Sequence, residues 1–335
     1  MGVCFTVFKG SKTGEIVEAT GRRDPGPTEV IVKISHCGLC GTDEHFFHND
    51  QGLGHEGIGV ITELGSAADV VSNFKLGDRV GMGWFYKFCG TCKYCLNGFS
   101  NTCVSPQCYG SHNQDQGCFG SFVAWDVSAL FKIPDAIASE DAGPLMCGGA
   151  TVFSALHTSG VRPGDRVGIV GVGGLGHLAI QFASKMGMDA VVFSSTTSKK
   201  ETALNFGASE FYTAADLAEP GNVEKVDILL ITSSVMPDLS TYYPVLAPRA
   251  QIYPLTASAE PINVTSLNLI MAGFRIVGSG VASAGTMQAM LAFAAKKGIK
   301  PQIEKFPLTK DGLVEAMARL REGKMRYRGV LVAPQ

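Results

Sequence analysis

The sequence predicts an α/β protein with two domains, one mostly β and one built around a doubly wound parallel sheet. The first indication is the N-terminal part, up to about residue 145, which contains many short β-branched stretches and no sustained helical period. EVIVKIS at 29–35 and EGIGVITEL at 56–64 are examples. The second indication is that strands alternate with helices from about Pro144 onward. Such alternation is typical of parallel βαβ units.

The alternating region begins with the helical stretch ATVFSALHTSG and continues with DRVGIVGVGGLGHLAIQFASKMG, which predicts a strand, a glycine turn and a helix. The strand DAVVFSS, the helix SKKETALNFGA and the strands VDILLIT and AQIYPLTA follow. The alternation stops near residue 284, and the final RYRGVLVA predicts a strand that returns to the first domain. We therefore place the parallel-sheet domain at 148–284 and the mostly-β domain at 1–147 with 285–335.

Composition excludes several classes of function. The 335 residues carry a net charge of −2, which gives no electrostatic attraction to nucleic acid or an anionic membrane. No apolar run approaches the roughly 18 residues of a membrane-spanning helix, and the first residues lack the apolar core of a signal peptide. In a reducing compartment such as the cytoplasm, the ten cysteines are expected to be thiols or metal ligands rather than disulfides. A small-molecule substrate is the partner that these properties favour.

Four cysteines are grouped in the first domain. Two, two and seven residues separate Cys89, Cys92, Cys95 and Cys103. This spacing can direct four thiolates at one tetrahedral zinc, with zinc–sulfur bonds of about 2.3 Å. Redox thiols or disulfides are the alternatives, and the reducing compartment disfavours both. A closed four-sulfur site has no position for substrate, so this zinc is predicted to be structural.

Three other segments offer metal ligands, but none of them holds a complete set. CGLCGTDEH carries Cys37, Cys40 and His45; GHE carries His55 and Glu56; PLMCGG carries Cys147. Two thiolates and one imidazole would form a three-ligand zinc site whose fourth position is open to substrate. Because these segments lie far apart, spacing alone leaves open whether each residue is a ligand or a buried structural residue.

GIVGVGGLG contains a G-x-G-x-x-G pattern directly after a predicted strand and at the start of a predicted helix. In this context the pattern predicts a dinucleotide site on Gly171, Gly173, Gly174, Leu175 and Gly176, where the helix N-terminus faces a pyrophosphate. An NAD site usually has an acidic residue about twenty positions later. This chain instead has Ser194, Ser195, Thr196, Lys199 and Lys200. Hydroxyls and ammonium groups suit a 2′-phosphate, so NADP(H) is the predicted cofactor.

CGLCGTDEH, GHEGIGVI, the four-cysteine group, MCGGATVFSAL and GVGGLGHLAIQFA occur in the order found in the zinc-dependent medium-chain alcohol dehydrogenases, which the chain resembles along its whole length. FSSTTSKKETAL and RYRGVLVA resemble the cinnamyl-alcohol-dehydrogenase-like subgroup. The resemblance implies a GroES-like catalytic domain, a Rossmann nucleotide domain, two zinc ions per chain and a homodimer. It also implies that Cys40, His55 and Cys147 hold the catalytic zinc and that Cys37 is a packed thiol.

The same resemblance implies an alcohol dehydrogenase or aldehyde reductase acting on aromatic, allylic or medium-chain compounds. Thr42 and His45 would relay the proton, Glu56 would lie near the metal, and Asp43 would orient a zinc ligand. Two features depart from the family: Gly41 replaces a basic or imidazole side chain, and the loop between Cys40 and His55 is short. Because that loop helps to line the substrate cleft in the family, the resemblance defines the reaction more closely than the substrate.

Trp84, Phe85 and Tyr109 are candidate aromatic residues of the substrate cleft, and each is equally a candidate for core packing. The same fold also allows two other functions. One is a biosynthetic reductase of an activated C=C or C=N bond, against which the intact Thr42 and His45 argue. The other is a non-catalytic NADPH-binding structural protein, against which the three retained zinc ligands argue.

Overall fold

The computed structural model describes residues 2–219, 221 and 223–334. The described residues up to Ala150, together with those from Ser283 onward, form one compact unit. Thr151–Ala282 form the second unit, apart from the residues outside the described ranges. No helix within these ranges combines the length and the apolar character that crossing a bilayer requires.

The N-terminal part of the first unit is rich in short strands. They are β1 (Val3–Lys9), β2 (Val17–Arg23), β3 (Glu29–Leu39), β4 (Glu56–Leu64), β5 (Arg79–Met82), β6 (Phe85–Lys87), β7 (Gln107–Cys108), β8 (Phe122–Asp126) and β9 (Leu130–Lys132). β3 pairs antiparallel with both β4 and β8 and so lies inside the main sheet. Its residues Val30, Ile31 and Val32 are completely buried, because both faces of this strand are covered.

Short helices lie between these strands or after β9, and the last of the helices, from Thr151 onward, belongs to the second unit. They are α1 (Gly41–His45), α2 (Ala68–Val71), α3 (Lys93–Leu96), α4 (Ser139–Pro144) and α5 (Ala150–Thr158). One turn of π-helix, Leu145–Gly149, joins α4 to α5. α1 follows β3 directly, and β4 begins at Glu56, so the end of β3 and the start of β4 bring two of the predicted ligand segments to one edge of the sheet.

The second unit contains a parallel sheet of six strands in the order β12-β11-β10-β13-β14-β15. The strands are β10 (Arg166–Val170), β11 (Asp189–Ser194), β12 (Glu210–Thr213), β13 (Val226–Ile231), β14 (Leu246–Pro254) and β15 (Arg275–Ile276). The helices are α6 (Gly176–Met186), α7 (Lys200–Asn205), α8 (Ala214–Ala218) and α9 (Ser266–Ala272). The strand order runs outward in both directions from β10 and β13, as in a doubly wound sheet. The predicted fold class is therefore confirmed.

The chain then returns to the first unit. Its last elements are α10 (Ala284–Lys297), β16 (Ile303–Pro307), α11 (Lys310–Arg321) and β17 (Arg328–Val332). β17 pairs antiparallel with β3 and parallel with β16. In this register Gly329 lies opposite Leu39, so the C-terminal strand reaches the edge of the sheet that carries the predicted metal ligands.

Candidate metal centres and dinucleotide site

Cys40 is fixed by its position as the N-cap of α1. Its sulfur accepts a hydrogen bond from the backbone N–H of Thr42 at 3.5 Å, and its own N–H donates to Asp43 Oδ2 at 3.0 Å. This is a capping box in which a cysteine takes the place of the usual serine or threonine. A hydrogen bond from Cys147 also lowers the pKa of the Cys40 thiol well below its ordinary value. The cap therefore holds the Cys40 sulfur in a defined direction.

His55 lies just before β4 and is completely buried. Its Nδ1 is 3.0 Å from Oδ1 of Asp43, which is also completely buried. Its other ring nitrogen, Nε2, is buried and has no hydrogen-bond partner among the described residues. A buried polar atom without a partner is costly, and a metal ion would satisfy it. The carboxylate on Nδ1 leaves the lone pair of Nε2 available, as in other metal-ligating histidines.

Cys147 lies in the middle of the π-helical turn between α4 and α5. Such turns are rare and occur frequently at functional sites. The turn brings the Cys147 sulfur to 4.0 Å from that of Cys40. Two sulfurs bound to one tetrahedral zinc would be about 3.8 Å apart, given bonds of about 2.3 Å. Cys37 is completely buried on β3 and lies outside this group, and burial raises the pKa of its thiol well above the ordinary value.

Glu56 completes a group of four potential ligands. The ligand atoms of Cys40, His55, Glu56 and Cys147 all lie within 4.8 Å of one another. The Glu56 carboxylate is completely buried, and both of its oxygens accept hydrogen bonds from Nη2 of Arg328, at the start of β17. Burial raises the pKa of Glu56 to about 7, although the charge of Arg328 acts in the opposite direction. Two sulfurs, one imidazole and a nearby carboxylate fit a zinc ion.

The three aromatic candidates occupy different places. Trp84 is half-buried, and its ring stands edge-on to those of His55, at 6.1 Å, and Tyr109, at 5.9 Å. Phe85 is half-buried and packs against Phe88. Tyr109 is only 1% exposed, and its hydroxyl donates to Asp43 Oδ1 at 3.0 Å. Burial raises the pKa of this phenol well above its ordinary value, so it remains a donor.

These contacts favour core packing, the second of the two alternatives predicted for Tyr109. A residue of the substrate cleft has to present its side chain to a cavity, whereas the ring of Tyr109 is enclosed and its hydroxyl is engaged by a buried carboxylate. Tyr109 therefore supports the His55 side of the ligand group instead of lining a cleft. Trp84 and Phe85 remain candidates.

Thr42 and His45 both lie on α1, three residues apart and so on neighbouring positions of one face. The Thr42 hydroxyl is 3.5 Å from the Cys40 sulfur, and the side chain is half-buried. His45 is exposed at the end of the helix. The pair therefore extends from the ligand group to solvent.

The four-cysteine group converges as its spacing suggests. The sulfurs of Cys89, Cys92, Cys95 and Cys103 lie within 4.8 Å of one another, with Cys89 3.9 Å from Cys95 and 3.4 Å from Cys103. None of them forms a disulfide. Backbone N–H groups of Cys95 and Val104 lower the pKa of the Cys92 thiol to about 6. The arrangement suits a closed tetrahedral zinc site.

Replacing Cys92 with serine should remove one zinc per chain and lower the thermal unfolding midpoint by about 5 °C or more, because metal binding and folding of the lobe are linked. Metal analysis and calorimetry measure the two effects. Cys108→Ser is the matched control, since Cys108 is a half-buried free thiol outside the four-cysteine group. A C92S protein that kept both zinc ions would contradict the assignment.

The glycine turn lies between β10 and α6 of the second unit. Gly171 has φ +91°, a conformation that residues with a Cβ rarely adopt. A Cβ at Gly176 would collide with the carbonyl oxygen of Gly171, so the start of α6 can approach the strand only because Gly176 has no side chain. Gly173, Gly174 and Leu175 complete the turn. These features are the physical requirements of a dinucleotide-binding turn.

The predicted 2′-phosphate residues follow β11. Ser194 is the last residue of that strand, Ser195 and Thr196 are exposed, and Lys200 begins α7. Lys199 turns back toward the glycine turn, where its Nζ donates to the carbonyl oxygen of Val172 at 2.7 Å. The two segments predicted separately for cofactor binding therefore touch each other.

The sequence pattern did not single out Arg328, which lies within the RYRGVLVA stretch. Its partner Glu56 is 272 positions away in the chain, so no local pattern could indicate the pair. The only signal was a basic residue at the start of an otherwise apolar strand, β17. Burying an arginine there requires an anionic partner.

The comparisons with known proteins all indicate the same family. Residues 26–135 match the alcohol dehydrogenase GroES-like domain, and residues 174–296 match the zinc-binding dehydrogenase domain. The aldehyde reductase AdhA of Synechocystis is 32% identical over 94% of this chain and 96% of its own length. The chain also resembles two solved structures. One is the cinnamyl alcohol dehydrogenase SbCAD4 of Sorghum bicolor, with a TM-score of 0.90 at 30% identity, covering 98% of this chain and 97% of that one.

The other is the CAD of Helicobacter pylori complexed with NADP(H), with a TM-score of 0.89 at 27% identity, covering 99% of both chains. Identity at this level along nearly the whole chain confirms the family resemblance that the sequence motifs indicated. The chain belongs to the zinc-binding alcohol dehydrogenase family, in which a GroES-like domain is combined with a zinc-binding dehydrogenase domain.

Proposed function

We propose that this protein is an NADP(H)-dependent zinc alcohol dehydrogenase that works as an aldehyde reductase on aromatic, allylic or medium-chain aldehydes. The observation that carries the proposal is the group formed by Cys40, His55 and Cys147, in which a buried imidazole nitrogen has no partner in the described part of the chain. The similarity to an aldehyde reductase and to cinnamyl alcohol dehydrogenases supports the reaction and the substrate class.

A zinc ion held by Cys40, His55 and Cys147 would act as a Lewis acid toward the substrate oxygen, and NADP(H) would supply or accept the hydride. The protein's own residues transfer the proton. The Thr42 hydroxyl, next to the Cys40 sulfur, is placed to hydrogen-bond a substrate oxygen, and the exposed His45 can exchange a proton with water. Arg328 balances the charge of Glu56 so that the carboxylate remains buried beside the ligands.

An aldehyde panel assayed with NADPH and with NADH tests this function. We expect reduction of aromatic and allylic aldehydes with a preference for NADPH. With an enal substrate and deuterium-labelled NADPH, the label should reach the carbonyl carbon. Label on the β-carbon would instead indicate a C=C reductase, and no turnover of any aldehyde would indicate a non-catalytic protein.

NADP(H) preference is proposed to depend on the segment after β11. Replacing Ser195 with aspartate puts a carboxylate where the 2′-phosphate is expected, and like charges repel. The ratio of kcat/KM for NADPH to that for NADH should fall at least about 100-fold, corresponding to roughly 2.7 kcal/mol. Ser258→Asp is the control, because it adds the same charge at another exposed position of the second unit. An unchanged ratio in S195D would contradict the assignment.

We also propose that the protein is a homodimer and resides in the reducing cytoplasm. β15 is an edge strand, and Leu267, Ile270 and Met271 form an exposed apolar row on α9, spaced at helical intervals. Pairing of two copies along β15 would cover both features. Light scattering should give twice the chain mass for the protein and the single mass for Ile276→Asp, while Val314→Asp, on α11, should stay dimeric. None of the ten cysteines forms a disulfide, which suits a reducing compartment.

A further inference from the structure

Tyr109 contacts the His55 side of the ligand group in three ways. Its hydroxyl donates to Asp43 Oδ1 at 3.0 Å and accepts from the backbone N–H of Gly54 at 3.1 Å. Its ring stacks on the His55 ring, with centroids 4.8 Å apart and planes 29° apart. A single buried side chain thus touches the ligand, the carboxylate that orients the ligand, and the backbone next to the ligand.

Asp43 connects the two ligand segments. Its Oδ2 accepts from the N–H of Cys40 at 3.0 Å, and its Oδ1 lies 3.0 Å from His55 Nδ1. Oδ1 also accepts from Gly54 N–H at 3.3 Å and from Tyr109. The carboxylate is completely buried, so these donors replace the water that would otherwise solvate its charge. The Tyr109 hydroxyl can be removed without changing the chain's charge and without altering a predicted zinc ligand.

We propose that Tyr109 is a positioning residue for the catalytic zinc: its hydroxyl anchors Asp43, and its ring fixes the plane of His55. The proposal rests on the proposed function, since it requires zinc at Cys40, His55 and Cys147. Tyr109 acts through Asp43 and His55 and does not touch the substrate. Residues that hydrogen-bond metal ligands typically contribute 10- to 100-fold to metal affinity. Tyr109 contacts both the ligand His55 and Asp43, which orients that ligand.

Tyr109→Phe tests the hydroxyl while it keeps the ring. Competition with a chelator, followed by metal analysis, should show at least a 10-fold weaker zinc affinity at one site of Y109F, with the zinc of the four-cysteine group unchanged. Cobalt substituted for the catalytic zinc should give visible absorption bands that shift in Y109F, because the direction of the His55 ligand changes. The four-cysteine zinc also reports whether the variant is folded.

Tyr86→Phe is the matched control, since Tyr86 is another buried tyrosine of the same unit but packs against Trp125. Y86F should leave both zinc affinities and the cobalt bands unchanged. Tyr109→Leu, which also removes the stacking ring, should weaken zinc binding more than Y109F.

Three results would overturn the proposal. The first is a Y109F protein with wild-type zinc affinity and cobalt bands, even if Y109L lost zinc, because only packing would then matter. The second is loss of both zinc ions from Y109F, which would indicate a general role in folding. The third is a wild-type protein that binds zinc only at the four-cysteine group, which would also refute the proposed function. The first two results leave the proposed function intact.

Discussion

Replacing Cys40 with serine is expected to lower kcat/KM for aldehyde reduction at least about 10³-fold and to reduce the zinc content from two ions per chain to one. The serine hydroxyl can still accept the hydrogen bond from Thr42 N–H, so the cap of α1 is retained. It is a poor zinc ligand, because zinc prefers thiolate, imidazole or carboxylate. Loss of the Lewis acid removes several kcal/mol of transition-state stabilisation, and each 1.36 kcal/mol is a factor of ten in rate.

Cys37→Ala provides the matched control for C40S. Cys37 is three residues earlier, on β3, is also buried and lies outside the ligand group. Its loss leaves a small cavity, which should lower stability without lowering the zinc content. Steady-state kinetics and metal analysis of the two variants separate the roles. Equal effects on zinc and rate in C37A and C40S would refute the distinction between packed thiol and ligand.

Replacing Arg328 with methionine is expected to destabilise the protein by about 3–5 kcal/mol, because it leaves the Glu56 carboxylate buried without its cationic partner. Methionine keeps much of the side-chain volume, so the effect reports the lost charge and hydrogen bonds. The unfolding transition of the first unit in urea, measured at equilibrium, gives this loss of stability. Adding Glu56→Gln to R328M should recover part of the loss, since the double variant no longer buries an unpaired charge.

Lys305→Met removes a cation of the same unit whose pair with Glu140 is largely exposed, with 55% and 34% of the two side chains accessible. Exposed pairs contribute at most about 1 kcal/mol, so K305M should be nearly neutral. A destabilisation by R328M no larger than that by K305M would show that the buried pair does not support the site.

The sequence predicted those features that depend on short segments. The strand–turn–helix around Gly171 and the convergence of Cys89, Cys92, Cys95 and Cys103 depend on neighbouring residues, whose geometry is limited by the backbone. The alternation of strands and helices likewise predicted the doubly wound sheet, because each βαβ unit has one favoured hand and arrangement.

Features that depend on contacts between distant segments could not be predicted from local sequence patterns. Cys40 and Cys147 are 107 residues apart, and only the family resemblance joined them. The π-helical turn that presents Cys147 has no local sequence signature, and neither does the pairing of Arg328 with Glu56. The sequence left Tyr109 between the substrate cleft and the core, because an aromatic side chain suits both. Only its burial and its hydrogen bond to Asp43 decide between the two.

Crystallographic anomalous scattering at the zinc edge tests the central claim most directly. We expect two peaks per chain, one among the four cysteine sulfurs and one bonded to the sulfurs of Cys40 and Cys147 and to Nε2 of His55, with no fourth protein ligand in the resting enzyme. A single peak at the four cysteines would contradict the account. So would a second zinc whose fourth position is permanently occupied by the Glu56 carboxylate, since no position would remain for a substrate oxygen.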